Sequence, residues 1–168
     1  MPKGLETGKT LYESLVGFQF FLLISVLCIV HRDDPEKRRY TKLILEIRRK
    51  NAKTFIVAVI FILLFFLEPK FARFYSVAPD GSLSREIKDM MESIIKSSPY
   101  IEDKMIIRRD DIFCKLTDNK FVPLNYTNSR FDGKLPSVYV ADEVGALPNN
   151  YAIEAMQSGQ LTIKNKLG

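Results

Sequence analysis

The stretch Leu45-Glu46-Ile47-Arg48-Arg49-Lys50-Asn51-Ala52-Lys53-Thr54, followed by the wholly apolar run from Phe55 to Leu67, decides how this chain is read. Upstream, Thr41 to Ile47 is β-branched and apolar enough for a strand. Arg48 to Ala52 is a polar loop, and Lys53 to Leu67 predicts a helix apolar on every side, hence a buried one. A strand, a loop and a buried helix in that order suit phosphate binding. Such a loop needs main-chain N–H groups turned inward, a helix N-terminus, a lysine for the outer phosphates and a hydroxyl for Mg2+. Lys53 and Thr54 stand where the lysine and hydroxyl belong, while Ile47 and Ala52 occupy the two glycine places of the general G-x-x-x-x-G-K-[ST] pattern. The residues alone therefore leave a second reading open, a basic loop that merely starts a helix.

Further along, Val138-Tyr139-Val140-Ala141-Asp142-Glu143 is an apolar strand that ends in two acids. In a nucleotide-hydrolysing site the first carboxylate of such a pair holds Mg2+ and the second orients and deprotonates the attacking water. The segments between the two motifs alternate. Phe71 to Val77 reads as a strand, with a turn through Ala78-Pro79-Asp80-Gly81. Ser82 is the expected cap of a helix with Leu83, Ile87, Met90, Met91, Ile94 and Ile95 on one face. Ile112 to Leu116 and Lys120 to Leu124 form a hairpin, Ser137 to Ala141 a short strand and Asn149 to Ser158 a helix. This order predicts an α/β sandwich with a largely parallel sheet, which binds ligands at the carboxyl ends of its strands.

Composition narrows the function. Hydrophobic residues are 46% and charged residues 27% of 168, an ordinary globular balance for one domain. The net charge of +5 suits an anionic partner without requiring one. Two cysteines without CxxC spacing and a single histidine exclude a zinc site or disulfide framework. Gly4-Leu5-Glu6-Thr7-Gly8-Lys9-Thr10 ends like a phosphate loop, but no strand precedes it and its glycines are too close. A rival reading is a two-helix membrane protein without enzymatic activity, spanning at Leu15 to Val30 and Phe55 to Leu67. The second run falls well short of the roughly 20 residues a span needs. A third is a non-catalytic nucleic-acid-binding module that uses the basic run from Arg32 to Lys53.

Taken together, Leu45 to Thr54 resembles the variant Walker A motif of phage terminase large subunits, of the family found in lambda-like siphophages, which lacks the first glycine. Phe74 to Asp80 with Ser84-Arg85-Glu86 resembles that family's next block. Val138 to Leu147, continued by Asn150 to Gly159, resembles its Walker B block and following helix. The resemblance implies a three-layer α/β P-loop NTPase sandwich of the additional-strand type with a mainly parallel sheet. Residues 1–40 would be a helical lead-in on the adenine side and 41–168 a partial ATPase core, with the nuclease domain and coupling motif beyond Gly168. It implies ATP and Mg2+ as cofactors, with hydrolysis driving double-stranded DNA into procapsids and no nuclease activity in this part. By the same resemblance Lys53 contacts the β- and γ-phosphates, Thr54 and Asp142 hold Mg2+, and Glu143 is the general base. Arg49 stabilises charge on the transferred phosphoryl group, Lys50, Asn51 and Ala52 complete the loop, and Gln19 lies near the adenine. Implied partners are DNA, the small terminase subunit and the portal protein, in the host bacterial cytoplasm, with no membrane. A homo-oligomer is expected only where the missing parts are supplied. The sequence departs from the family at Ala52, where a glycine is usual, and at Arg48, where proline is common.

Overall fold

The computed structural model describes residues 9–48, 51–126 and 131–168. The lead-in is not one helix. Helix α1 (Leu11–Ser14) starts at Thr10, whose hydroxyl takes the Glu13 N–H while the Glu13 carboxylate takes the Thr10 N–H. Leu15 and Val16 are extended, and α2 (Gly17–Leu23) begins anew, its Gln19 side chain taking the Val16 N–H. It then widens into a π-helical turn, Ile24–Cys28. The expected single helix from Leu11 to Val30 is thus broken, because two local side-chain caps satisfy backbone groups that a continuous helix would have used.

Helix α3 (Lys53–Leu67) is as the apolar run predicts: Ile56, Ala58, Phe61, Leu64 and Phe65 are wholly buried. Among the described residues no helix is long and apolar enough to cross a membrane, and α3 is the core of the fold. Its rings key into the sheet, Phe61 against Phe121 with centroids 4.8 Å apart and Phe65 against Phe74 at 5.4 Å. Each fully buried ring of this kind contributes about 1.5–3 kcal/mol.

Strand β1 (Arg73–Ala78) leads to α4 (Gly81–Lys96), whose inner face is Ile87, Met91, Ile94 and Ile95. The cap is Asp80 and not Ser82: its carboxylate takes the N–H groups of Ser82 and Leu83. After the short α5 (Pro99–Glu102) come β2 (Met105–Ile107), β3 (Ile112–Cys114) and β4 (Lys120–Asn125), then β5 (Val138–Ala141) and α6 (Tyr151–Gly159). The sheet runs β2-β3-β4-β1-β5, with β4, β1 and β5 parallel and the hairpin at β3–β4 antiparallel, as is β2–β3. Strand β2 was not read from the sequence. Phe74, Phe121 and Val138 share a register row on the α3 face, while Val77, Leu124 and Tyr139 pack on the other face with Ala152 and Met156 of α6. Helices on both faces make the three-layer, mainly parallel sandwich that the sequence predicts.

One expected strand is not in the sheet. Thr41 to Ile47 carries no ladder, although Leu43 donates to the Gly168 carbonyl (2.9 Å) and Gly168 to the Thr41 carbonyl (3.1 Å), the parallel pattern. Leu167 in turn bridges Val138 of β5. Only those two residues lie in the lane between, too few to define a ladder. The buried Arg38 guanidinium pairs with Glu68 past the end of α3 and donates to the Asn165 carbonyl (3.2 Å), which fixes the lead-in against both.

Candidate functional site

Two backbone features meet at the carboxyl end of the sheet. On one arm β5 ends at Ala141, and the Asp142 N–H still reaches the Val77 carbonyl of β1 (2.9 Å). Asp142 is thereby held at the strand end. Glu143 follows in the left-handed region (φ 49°), with its N–H on the Asp142 carboxylate (2.8 Å). On the other arm Ala52 opens α3, also left-handed (φ 57°, ψ 35°) and with no side chain to cap the helix. A left-handed alanine costs about 1–2 kcal/mol relative to its ordinary conformation. Asn51 holds the loop upstream, donating from its carboxamide to the Arg48 carbonyl (3.1 Å).

Lys53 joins the arms. Its ammonium donates to the Asp142 carboxylate at 2.5 Å and to Glu143 at 3.3 Å. Partial burial works against the charged form of Lys53. The hydrogen bond and charge of Asp142, then those of Glu143, outweigh it and hold the ammonium above its ordinary pKa. Lys53, Thr54, Ala52, Asp142 and Glu143 all line one groove of about 1080 Å3.

Of the residues singled out in the sequence, the fold thus gathers Ala52, Lys53, Thr54, Asp142 and Glu143 in one place, with Asn51 on the adjoining loop. Arg49 and Lys50 lie outside the described residues. Gln19 is not brought to the groove; it is buried in the lead-in with its carboxamide oxygen on Val16. The sequence reading did not anticipate Leu83, Glu86 and Met90 of α4, or Ile153 and Gln157 of α6, which also line it. Their i, i+3 and i, i+4 spacings put each set on one helix face, but nothing local says which face meets the site.

The arrangement suits a polyphosphate and a hard divalent cation. The first-turn N–H groups of α3 have no side-chain cap, so they and Lys53 offer donors to an anion. The Thr54 hydroxyl and Asp142 carboxylate are oxygen ligands of the kind Mg2+ takes. Among the described residues no three His, Cys, Asp or Glu side chains cluster as a metal cage. A cation here would complete its shell with water and phosphate oxygens, as Mg2+ characteristically does.

Residues 17–168 match the family model of the terminase large subunit, ATPase domain. The crystal structure of the HK97 bacteriophage large terminase superposes with a TM-score of 0.77 at 20% identity, covering 91% of this chain and 32% of that one. The large terminase of the thermophilic bacteriophage D6E gives 0.61 at 16% identity, covering 86% and 35%. At such identities the likeness is one of fold, and the chain spans about a third of the length of either structure. No curated protein matches the chain.

Proposed function

The chain belongs to the terminase large-subunit ATPase family, and on that premise we propose that it binds ATP with Mg2+ in the groove between α3 and β5 and hydrolyses it, as the ATPase part of a phage DNA-packaging motor. The observation that carries this reading is the Lys53 ammonium, shared by Asp142 and Glu143 at the uncapped start of a buried helix. In the proposed reaction Lys53 leaves its carboxylates for the outer phosphates, and the first-turn N–H groups of α3 orient the polyphosphate. Thr54 and Asp142 hold Mg2+, which neutralises charge on the phosphates when bound. Glu143, freed from Lys53, aligns a water for in-line attack and takes its proton. Arg49 faces the transferred group, while Lys50, Asn51 and Ala52 shape the loop.

Residues 1–40 are the lead-in and 41–168 the ATPase core, with Gln19 the candidate for the base; its bond to Val16 would have to open for that contact. Double-stranded DNA, the small terminase subunit and the portal are the proposed partners, in the host bacterial cytoplasm. Titration with a fluorescent ATP analogue tests the site. The parent binds only with Mg2+ present, and Lys53→Ala and Asp142→Asn lose that binding with an unchanged circular dichroism spectrum. Parent-like binding by both variants would sink the assignment.

A further inference from the structure

The lane between β5 and Thr41–Ile47 has two prepared lips. On the β5 side Tyr139 donates to the Leu167 carbonyl (3.1 Å) and Leu167 to the Ser137 carbonyl (3.1 Å). Asp142 donates the other way, to Val77, so strand alternation turns the Ala141 N–H and C=O toward the lane. On the far side Leu43 donates to Gly168, and alternation points the Leu45 N–H the same way. Leu167 and Gly168 thus sit as the first two residues of a parallel strand, bonded on both sides. The groove continues past them between Val140 and Ala141 on one lip and Leu45 and Ile47 on the other. Thr41, Leu43, Leu45 and Ile47 are half-buried and Lys42, Ile44 and Glu46 exposed, the alternation of a strand covered on the α3 face alone.

We infer that this groove is a docking site for an extended peptide from a separate polypeptide, added as a β-strand parallel to β5 directly after Gly168. None of the five strands is spare to fill it, since each is already paired in the sheet. Both lips already hold the spacing of a strand, so docking needs no rearrangement of either. The structure also sets the side-chain pattern. Leu167 is buried in the core on the α3 face. Gly168 faces the other way, where a Cβ would lie 2.6 Å from the Tyr139 ring. Counting on from Gly168, the first, third and fifth peptide residues face α3 and its Val57 and Ile60, and are apolar; those between face Tyr139 and α6, and are small.

The probe is a labelled six-residue peptide with isoleucine or valine at its first, third and fifth positions and serine between, titrated by fluorescence anisotropy. Saturable binding is expected, with amide exchange at Ala141 and Leu45 slowed at least tenfold. A peptide with the pattern shifted by one residue should bind at least tenfold more weakly. So should one whose first residue is N-methylated, because it cannot donate to the Tyr139 carbonyl. Leu45→Lys, which puts a charge on the apolar lip, should weaken binding as much while melting within a few degrees of the parent. Lys53→Ala should leave peptide affinity within twofold, so this inference and the nucleotide assignment fail separately. Equal binding of the shifted peptide, no protection at Ala141, or a peptide-free dimer that buries the lane would overturn it.

Discussion

Helices α3 and α4 begin in opposite ways. At the start of α4 the Asp80 carboxylate takes the Ser82 and Leu83 N–H groups, so the helix end is satisfied by its own cap. At the start of α3 stands Ala52, in a left-handed conformation and with no cap at all. Their bodies differ in the reverse sense: α4 is amphipathic, whereas α3 is buried along nearly its whole length. The contrast teaches where a fold can leave a helix end open. Burial of α3 stabilises it enough to tolerate a strained, uncapped first turn, and that turn is then available to a ligand.

The largest expected effect tests the first half of that statement. Phe61 is wholly buried against Phe74 and Phe121. Phe61→Ala should cost about 3–5 kcal/mol in denaturant unfolding. A loss under about 1 kcal/mol would mean that the body of α3 is not what carries its open end.

Next in size is the chemistry of that end. A hydrogen bond from a charged group is worth about 1.5–3 kcal/mol, so Lys53→Ala should weaken Mg2+-dependent binding of an ATP analogue roughly tenfold to a hundredfold or more. Stability should change little by comparison. Equal nucleotide affinity with a large drop in melting temperature would recast Lys53 as a structural link between α3 and β5.

Ala52→Gly sharpens the comparison further. Glycine relieves the left-handed strain of about 1–2 kcal/mol but loses about 0.5–1 kcal/mol of backbone entropy on folding. The net is a gain of up to about 1 kcal/mol in stability. Removing the methyl beside the phosphate path should also tighten ATP binding by about 1 kcal/mol, near fivefold. Calorimetric titration and thermal melts of both proteins separate the two effects. A glycine variant that is less stable would show that the loop relaxes out of the left-handed region.

Much of this was legible in the sequence, for identifiable reasons. The run from Phe55 to Leu67 is apolar at every helical phase, so its burial follows without knowing its neighbours. Lys53-Thr54 and Asp142-Glu143 were legible because each sits at a boundary between an apolar element and a polar turn. The break at Leu15 and Val16 was not, because it depends on Gln19 and Glu13 folding back onto the backbone. The Thr41–Ile47 segment has the composition of a strand, yet its ladder depends on a neighbour of which only Leu167 and Gly168 are in place. The Arg38–Glu68 pair joins positions whose charges, read along the chain, look like solvated turns. Local pattern fixes elements; which faces meet is a property of the whole fold.

The smallest effect is expected at the closed helix end. Hydrogen bonds from the Leu83 backbone, then from the Ser82 side chain, hold the Asp80 carboxyl below its ordinary pKa. A depressed pKa in the folded state means that the capped form adds stability above the unfolded value, and that this is lost as pH falls through the folded one. Asp80→Ala should therefore melt lower than the parent at neutral pH, and the gap should close as the solution is acidified below the ordinary aspartate range. Other titrating carboxylates are common to both proteins and cancel in the difference. Asp80→Asn should keep most of the stability, since asparagine caps about as well, and should lose the pH dependence. Neither variant should alter affinity for the ATP analogue, because this end of α4 is satisfied within the chain. Weakened nucleotide binding in Asp80→Ala, or a gap that persists in acid, would show that the two helix starts are coupled and that the contrast between them is not one of open against closed.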